Sequence, residues 1–277
     1  MNRKKNVLFF VVLTASFFSP DFWAQDRPMV LVVTSYNNAQ WYKKNLDAVF
    51  SQEYSNYRVI YVDDASPDGT GDLVEQYIAQ RGLEDKVTLI KNEKRMFKMY
   101  NFYHAVHECC DDDEIVFDHD GDDWFCRNDA LSIINEAYED SNVWLTYGSY
   151  KDFPRGKRGD NSRQIPREWV EKSSYRENIW VTSHQKTFYA WLFKRIPMDA
   201  FLYEDEFIRA ANDLAFMFPM LEMAGGRFKY IDQVIYTYNT ASSINNHKRM
   251  RSHQIKMDRY TRKKRKRFKP ICGIISC

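Results

Sequence analysis

Glu114-Ile115-Val116-Phe117-Asp118-His119-Asp120-Gly121-Asp122-Asp123-Trp124 runs an apolar segment directly into four carboxylates spread over six positions. The apolar part has the composition of a strand buried on both faces of a parallel sheet. Carboxylates crowded at the end of such a strand repel one another, which raises their pKa values. A hard divalent cation relieves that repulsion, and Mg²⁺ or Mn²⁺ suits oxygen ligands. Mg²⁺ takes one or two protein carboxylates and keeps positions for phosphate oxygens and water. Gly121 is expected to let the chain turn so that Asp120 and Asp122 converge on one ion. The competing reading is a solvated acidic loop in which Asp122 or Asp123 caps the next helix. The buried strand just ahead of the cluster favours the ion.

The same passage from apolar run to polar turn occurs twice upstream. Met29–Thr34 leads into Ser35-Tyr36-Asn37-Asn38, and Arg58–Val62 leads into Asp63-Asp64-Ala65-Ser66-Pro67-Asp68-Gly69. Periodicity predicts helices over Trp41–Phe50, about Asp72–Gln80, Phe97–Cys109 and Leu131–Tyr138, with a further strand at Lys86–Ile90. This alternation predicts an α/β chain: a Rossmann-like, open, mainly parallel sheet flanked by helices. Ligands then bind beyond the carboxyl ends of the strands, so Thr34–Asn38, Asp63–Gly69 and Asp118–Trp124 are expected to meet at one site. No GxGxxG or GxxxxGK is present, which excludes a dinucleotide fingerprint and a P-loop. After Val143–Tyr150 the pattern loosens. Residues 151–168 read as a loop, Trp169–Glu177 and Phe188–Phe193 as short helices, and Asn212–Met223 as a helix interrupted by Pro219. Phe228–Tyr238 reads as one or two late strands. With no internal repeat and no second core, a single domain is predicted.

Composition narrows the choices further. A hydrophobic content of 44% with 16% aromatics excludes a disordered chain. Five scattered cysteines without a CxxC exclude a disulfide scaffold, a zinc ribbon and a thioredoxin-like site, and Cys109-Cys110 is expected to pack. The net charge of +2 hides a polar layout. Residues 248–269 hold twelve Lys/Arg against one Asp, which leaves the body of the chain acidic. An acidic body suits a cation and argues against nucleic acid. Arg3-Lys4-Lys5 followed by the apolar Val7–Phe18 gives residues 1–25 the layout of a signal peptide, or of an uncleaved signal-anchor. Export or membrane association follows, with the cytoplasmic membrane face left open. The basic tail, residues 248–277, would touch anionic lipid or an acidic acceptor, or form a solvated helix end. A nuclear signal ranks last, because the N-terminus points to the secretory route.

Thr34-Ser35-Tyr36-Asn37, Val62-Asp63-Asp64-Ala65-Ser66-Pro67-Asp68-Gly69-Thr70 and Asp120-Gly121-Asp122-Asp123-Trp124, in this order and spacing, resemble the nucleotide-sugar half of family 2 glycosyltransferases, with the GT-A fold. The last segment is similar to that family's DxD motif. A fainter similarity continues to Asn239. The resemblance implies a GT-A domain over residues 26–247, with the nucleotide-sugar half at 26–125 and the acceptor half at 126–247. It implies that Thr34 and Tyr36 line the nucleobase pocket and that Asp63 accepts a uracil imide proton. Asp64 would reach the ribose or fix the turn. Asp120 would approach ribose or metal, and Asp122 would hold the Mn²⁺ or Mg²⁺ that bridges the diphosphate of a UDP-sugar. Arg95 and Lys98 remain available to the diphosphate. On the acceptor side, Asp213 stands where the family carries the second acid of a Glu-Asp pair and is the candidate base; Asn212 replaces the first. A late histidine, His247, is the candidate third metal ligand. The implied partners are the nucleotide-sugar donor and a glycan, lipid or protein acceptor.

Several residues depart from the pattern or have competing readings. Asn92–Asn101 stands where relatives often have a Gly-containing loop, with Phe97 or a neighbour in place of the small residue, and the QxxRW motif of processive synthases is absent. An inactive relative that keeps the fold as a nucleotide- or sugar-binding module is therefore the alternative. A sugar-phosphate nucleotidyltransferase ranks below both, because its phosphate loop is missing. His119 could point into the core, His184 could contact sugar or acceptor, and Trp191 is expected in the core.

Overall fold

A computed structural model of the chain describes residues 26–242, 251–263 and 266–272. Its first half is the predicted alternation: β1 (Met29–Ser35), α1 (Tyr42–Phe50), β2 (Tyr57–Asp63), α2 (Thr70–Arg81), β3 (Val87–Lys91), α3 (Lys98–Cys109) and β4 (Ile115–Asp120). β1 pairs in parallel with both β2 and β4, and β2 with β3. Every residue of β1 is buried, and the two-residue period sorts its side chains to opposite faces. Leu31 and Val33 join the core under α1, α2 and α4 (Ala130–Ala137). Val30 and Val32 join the core under α3. Each such side chain contributes about 1.5–3 kcal/mol by leaving water.

The second half completes one eight-stranded sheet in the order β3-β2-β1-β4-β7-β6-β10-β5. Here β5 is Trp124–Phe125, β6 Leu145–Phe153, β7 Lys186–Tyr189 and β10 Phe228–Asn239. β10 runs parallel to β6, whereas β7 is antiparallel to both β4 and β6. Trp124 and Phe125 pair with β10 at the far edge of the sheet. The acidic turn thus leaves one parallel half and enters the other, at the point where the strand order changes. The remaining elements are α5 (Arg167–Glu171), α6 (Ala190–Lys194), a small hairpin of β8 (Leu202–Tyr203) and β9 (Glu206–Phe207), α7 (Asn212–Ala224) and α8 (Arg251–Lys263).

Several expectations change. The strand that reads as ending at Phe117 continues as β4 to Asp120, and the helix expected over Trp169–Glu177 spans Arg167–Glu171. Phe188 and Tyr189 belong to β7, and the helix starts only at Ala190. This segment fills the slot between β4 and β6, a long-range demand that local periodicity does not carry. The basic C-terminal stretch is also packed where it is described. Arg176 and Glu222, each with a side chain only 1% exposed, form a bidentate pair at 2.6 and 2.8 Å. Arg176 also donates to the carbonyls of Thr261 and Lys266, and Glu222 accepts the Phe268 N–H. The Ile271 N–H bonds to the Met223 carbonyl. This ion pair therefore fastens both α8 and the strap 266–272 to α7. Among the described residues, no helix is long and apolar enough to cross a membrane.

Candidate functional site

The three strand-end turns are tied to one another. Register places Thr34 opposite Asp120 and Ser35 opposite Asp63. The N–H groups of Asn37 and Asn38 bond to Ser66 Oγ and Thr70 Oγ1, joining the first turn to the second. Asn45 Nδ2, on α1, bonds to the carbonyls of Asp120 and Asp123 and holds the acidic turn from behind. Gly121 has a steric role: a Cβ there would lie 2.8 Å from Ser35 Cβ and 2.9 Å from Asn38 Nδ2. Close approach of the first and third turns, more than freedom of φ, is what demands a glycine.

Above these turns lies a cavity of about 230 Å³. Thr34, Tyr36, Asp64, Arg95, Lys98, Asp120, Asp122 and Asp213 all line it, so one space gathers eight sequence-selected residues. Asp63 does not line it. Its carboxylate is buried and accepts both Ser66 Oγ, at 2.5 Å, and the Ser66 N–H. His247 lies outside the described residues. Asp64 acts as a strut for the next loop: it accepts the N–H groups of Met96 and Phe97, at 2.7 and 2.9 Å, and Asn92 Nδ2. That fixes Phe97 at φ 69° and ψ 161°, a backbone region that glycine occupies almost alone. The Arg95 guanidinium lies between the rings of Tyr36 and Phe97, and Arg209 covers Phe97 as well.

The charges are interlocked. Lys98 Nζ lies 2.6 Å from Asp120 and 2.9 Å from Asp118, and Lys186 lies 3.3 Å from Asp118. Burial alone would lower the Lys98 pKa, but Asp118 and Asp120 outweigh it and raise it. Burial likewise opposes ionisation of Asp118 and Asp120, yet Lys98 and then Lys186 pull both below the usual carboxylate range. Their neighbours go the other way. Burial, with help from Asp120, pushes Asp122 up to about 6. Burial, then Asp122 and Asp120, drives Asp123 well above its ordinary value. Nothing local in the sequence distinguishes Lys186 from any other lysine; only the sheet puts it beside Asp118.

Arg209, Ala210, Ala211, Asn212 and Asp213 form the opposite wall, joined by His184, Tyr238 and Gln254 from α8. Ala211, at φ 53°, turns the chain into α7 without a side-chain cap. Burial raises the Asp213 pKa against the pull of Lys186 and Lys98, which suits a group that must take a proton. Thr34 Oγ1 and Asn212 Oδ1, on facing walls, are buried without a hydrogen-bond partner in the protein. Buried polar atoms in this state are ones a ligand can satisfy.

Among the described residues, one trio could hold a metal ion. Asp120, Asp123 and His184 bring ligand atoms within 4.8 Å of one another. Oxygen and nitrogen ligands bond such ions at about 2.0–2.6 Å, so atoms on opposite sides of one ion lie roughly 4–5 Å apart. The trio needs little adjustment to fit. His184 stacks on Tyr236 and Tyr238, at 5.3 and 4.8 Å between ring centroids. Asp120, His184 and also Asp122 line the cavity, whereas Asp123 is fully buried behind it and accepts the Asn239 N–H. His119, by contrast, is fully buried against Phe117, Phe125 and Tyr236 and faces the core. Trp191 is partly buried and packs on Trp144.

Comparison with known proteins agrees with this geometry. The chain is 31% identical over 97 residues to EpsE and 38% identical over 52 residues to TuaG, both from Bacillus subtilis (strain 168). Both names include the word glycosyltransferase, TuaG's with teichuronic acid biosynthesis. The matched stretches cover 35% and 18% of this chain but only 34% and 21% of those relatives. Among solved structures, the mannosyltransferase PcManGT from Pyrobaculum calidifontis, in complex with GDP-Man and Mn²⁺, superposes with a TM-score of 0.60 at 19% identity. That match covers 89% of this chain and 67% of the other. S. aureus TarS 1–349 in complex with UDP-GlcNAc gives a TM-score of 0.58 at 17% identity, over 78% and 59% of the two chains. These likenesses establish the GT-A fold. Residues 30–201 match the sequence profile described as glycosyl transferase family 2, well over half the chain, and the protein belongs to that family.

Proposed function

We propose that the protein transfers a sugar from a nucleotide-sugar, a UDP-sugar, to an acceptor hydroxyl with inversion and with the aid of a divalent cation. The observation that carries this reading is the single cavity: the strand-end residues Thr34, Tyr36, Asp120 and Asp122 face the partly buried carboxylate of Asp213 across it. Tyr36 offers a ring face and Thr34 a hydroxyl to the nucleobase. Asp63 reaches a base only if Ser66 gives up its bonds. Arg95 and Lys98 supply positive charge to the diphosphate. Asp213 takes the acceptor proton as the acceptor oxygen bonds to the anomeric carbon. The anomeric C–O bond to the diphosphate breaks, and its electron pair leaves with the nucleotide.

The donor set fits a hard cation, because Asp120, Asp123 and His184 converge and burial, reinforced by the neighbouring aspartates, holds Asp122 and Asp123 above the usual carboxylate range. When bound, such an ion supplies Lewis-acid neutralisation of the leaving nucleotide. One observation favours the binding-module alternative: Lys98, at 2.6 Å, already neutralises Asp120 where a cation would act. The test is nucleotide release from a panel of UDP-sugars with Mn²⁺, Mg²⁺ or chelator. Metal-dependent release from one sugar supports transfer. Metal-dependent UDP binding without release, with acceptor extracts also present, supports the module. No UDP binding contradicts both.

A further inference from the structure

The basic stretch at the C-terminus is left over by the transfer reading, and its packing makes it part of a defined face. Ile165, Trp169, Tyr175, Ile179, Trp180 and Phe218 line a shallow apolar groove. Ile179, on its rim, is 62% exposed, and Trp169 and Trp180 are half-buried. The end of α8 lies directly alongside: Arg262 donates to the carbonyls of Arg176 and Asn178, and Arg267 pairs with Glu177. Ile255, 46% exposed, shares a helical face with Arg259 and Arg262 at spacings of four and seven.

The carboxylates of this face are matched. Glu168, Glu171, Glu177 and Asp258 pair with Lys172, Arg167, Arg267 and Arg262. Arg259, Lys263, Lys266 and Lys269 are exposed and form no ion pair among the described residues. The buried Arg176–Glu222 pair holds these cations in one place beside the groove.

We propose that this face docks the protein on an anionic lipid bilayer, with Ile179 and the two tryptophans at the interface and the strap cations on the headgroups. The face is complementary to such a bilayer in both charge and apolarity. Basic side chains near an anionic leaflet each add about 1 kcal/mol of attraction. Tryptophans with one apolar side settle at the headgroup level. An acidic polymer would engage the cations but leave the exposed isoleucines without a role. The inference is independent of the transfer reading.

The test is sedimentation of the full chain with vesicles of phosphatidylcholine alone and of an equimolar mixture with phosphatidylglycerol. The variants are Lys263→Glu/Lys266→Glu/Lys269→Glu and Ile179→Asp. All share the apolar N-terminal run, so differences between variants report this face alone. An unchanged melting temperature checks folding. The expected result is preference for the anionic vesicles, reduced about tenfold or more by the triple reversal and measurably by Ile179→Asp. Equal sedimentation of the triple variant and the original would overturn the proposal. So would binding of the original chain to heparin but not to anionic vesicles, which would assign the face to an acidic glycan.

Discussion

On the strand-end wall of the cavity, Thr34, Asp64 and Asp120 leave neighbouring parallel strands and are held by register and by bonds between turns. On the facing wall, Asn212 and Asp213 begin α7 from a left-handed Ala211 with no cap, and Gln254 arrives from α8. The first wall is built by local rules repeated three times, and two of its acids are matched: Asp120 by Lys98, Asp64 by backbone N–H groups. The second is positioned by distant contacts, and burial raises the pKa of its candidate base against the pull of Lys186 and Lys98. In the proposed transfer, donor binding and proton abstraction make different electrostatic demands, and the residues suited to each come from different elements.

The comparison can be broken most severely at the metal side. Asp120→Ala, which removes a carboxylate of the candidate metal trio, should abolish metal-dependent nucleotide binding and reduce transfer by about three orders of magnitude or more, as read by calorimetry and nucleotide release. Asp213→Asn should reduce transfer by about 10²–10⁴-fold while leaving UDP affinity nearly unchanged. A comparable loss of UDP affinity would merge the two walls into one function.

Stability offers smaller tests. Removing one partner of the buried pair, as in Glu222→Met or Arg176→Met, should cost about 3–5 kcal/mol in denaturant unfolding. The double Met variant should recover much of that. Recovery would show that the pair orients α8 more than it stabilises the fold.

The smallest effect concerns His119, beneath the strand-end wall. Burial lowers its pKa to about 4, and both ring nitrogens lack partners. Between the ordinary value near 6.5 and that folded value the unfolded chain binds more protons, so stability is lost as pH falls through this window. His119→Phe should therefore gain on the original chain as pH drops from 7 toward 4, by up to about 3 kcal/mol in metal-free protein. A pH-independent difference in melting would contradict the buried neutral imidazole.

This division also explains what could be read in advance. The apolar runs ahead of Thr34, Asp63 and Asp118 announce themselves, because strands buried on both faces are mostly apolar, although β4 continues through buried Asp118 and His119 to Asp120. Asp213 was legible only through its resemblance to a family motif. Lys186 and the Arg176–Glu222 clamp were not legible. Each depends on a partner 46 or more residues away, or on a strand slot that periodicity reads as helix. Phe97 was visible as a misfit, but its glycine-like backbone and its arginine neighbours were not. Gly121 was legible as necessary for the wrong reason, since the demand comes from Ser35 and Asn38 across the turn.

The most direct test of the two-wall account is paired calorimetry of UDP with Mn²⁺ on Asp120→Ala and Asp213→Asn, alongside nucleotide release from the donor that the panel identifies. The account predicts that Asp120→Ala loses binding and release together, whereas Asp213→Asn binds like the original chain and fails to transfer. Full transfer by Asp213→Asn, or metal-dependent binding that survives in Asp120→Ala, would contradict it.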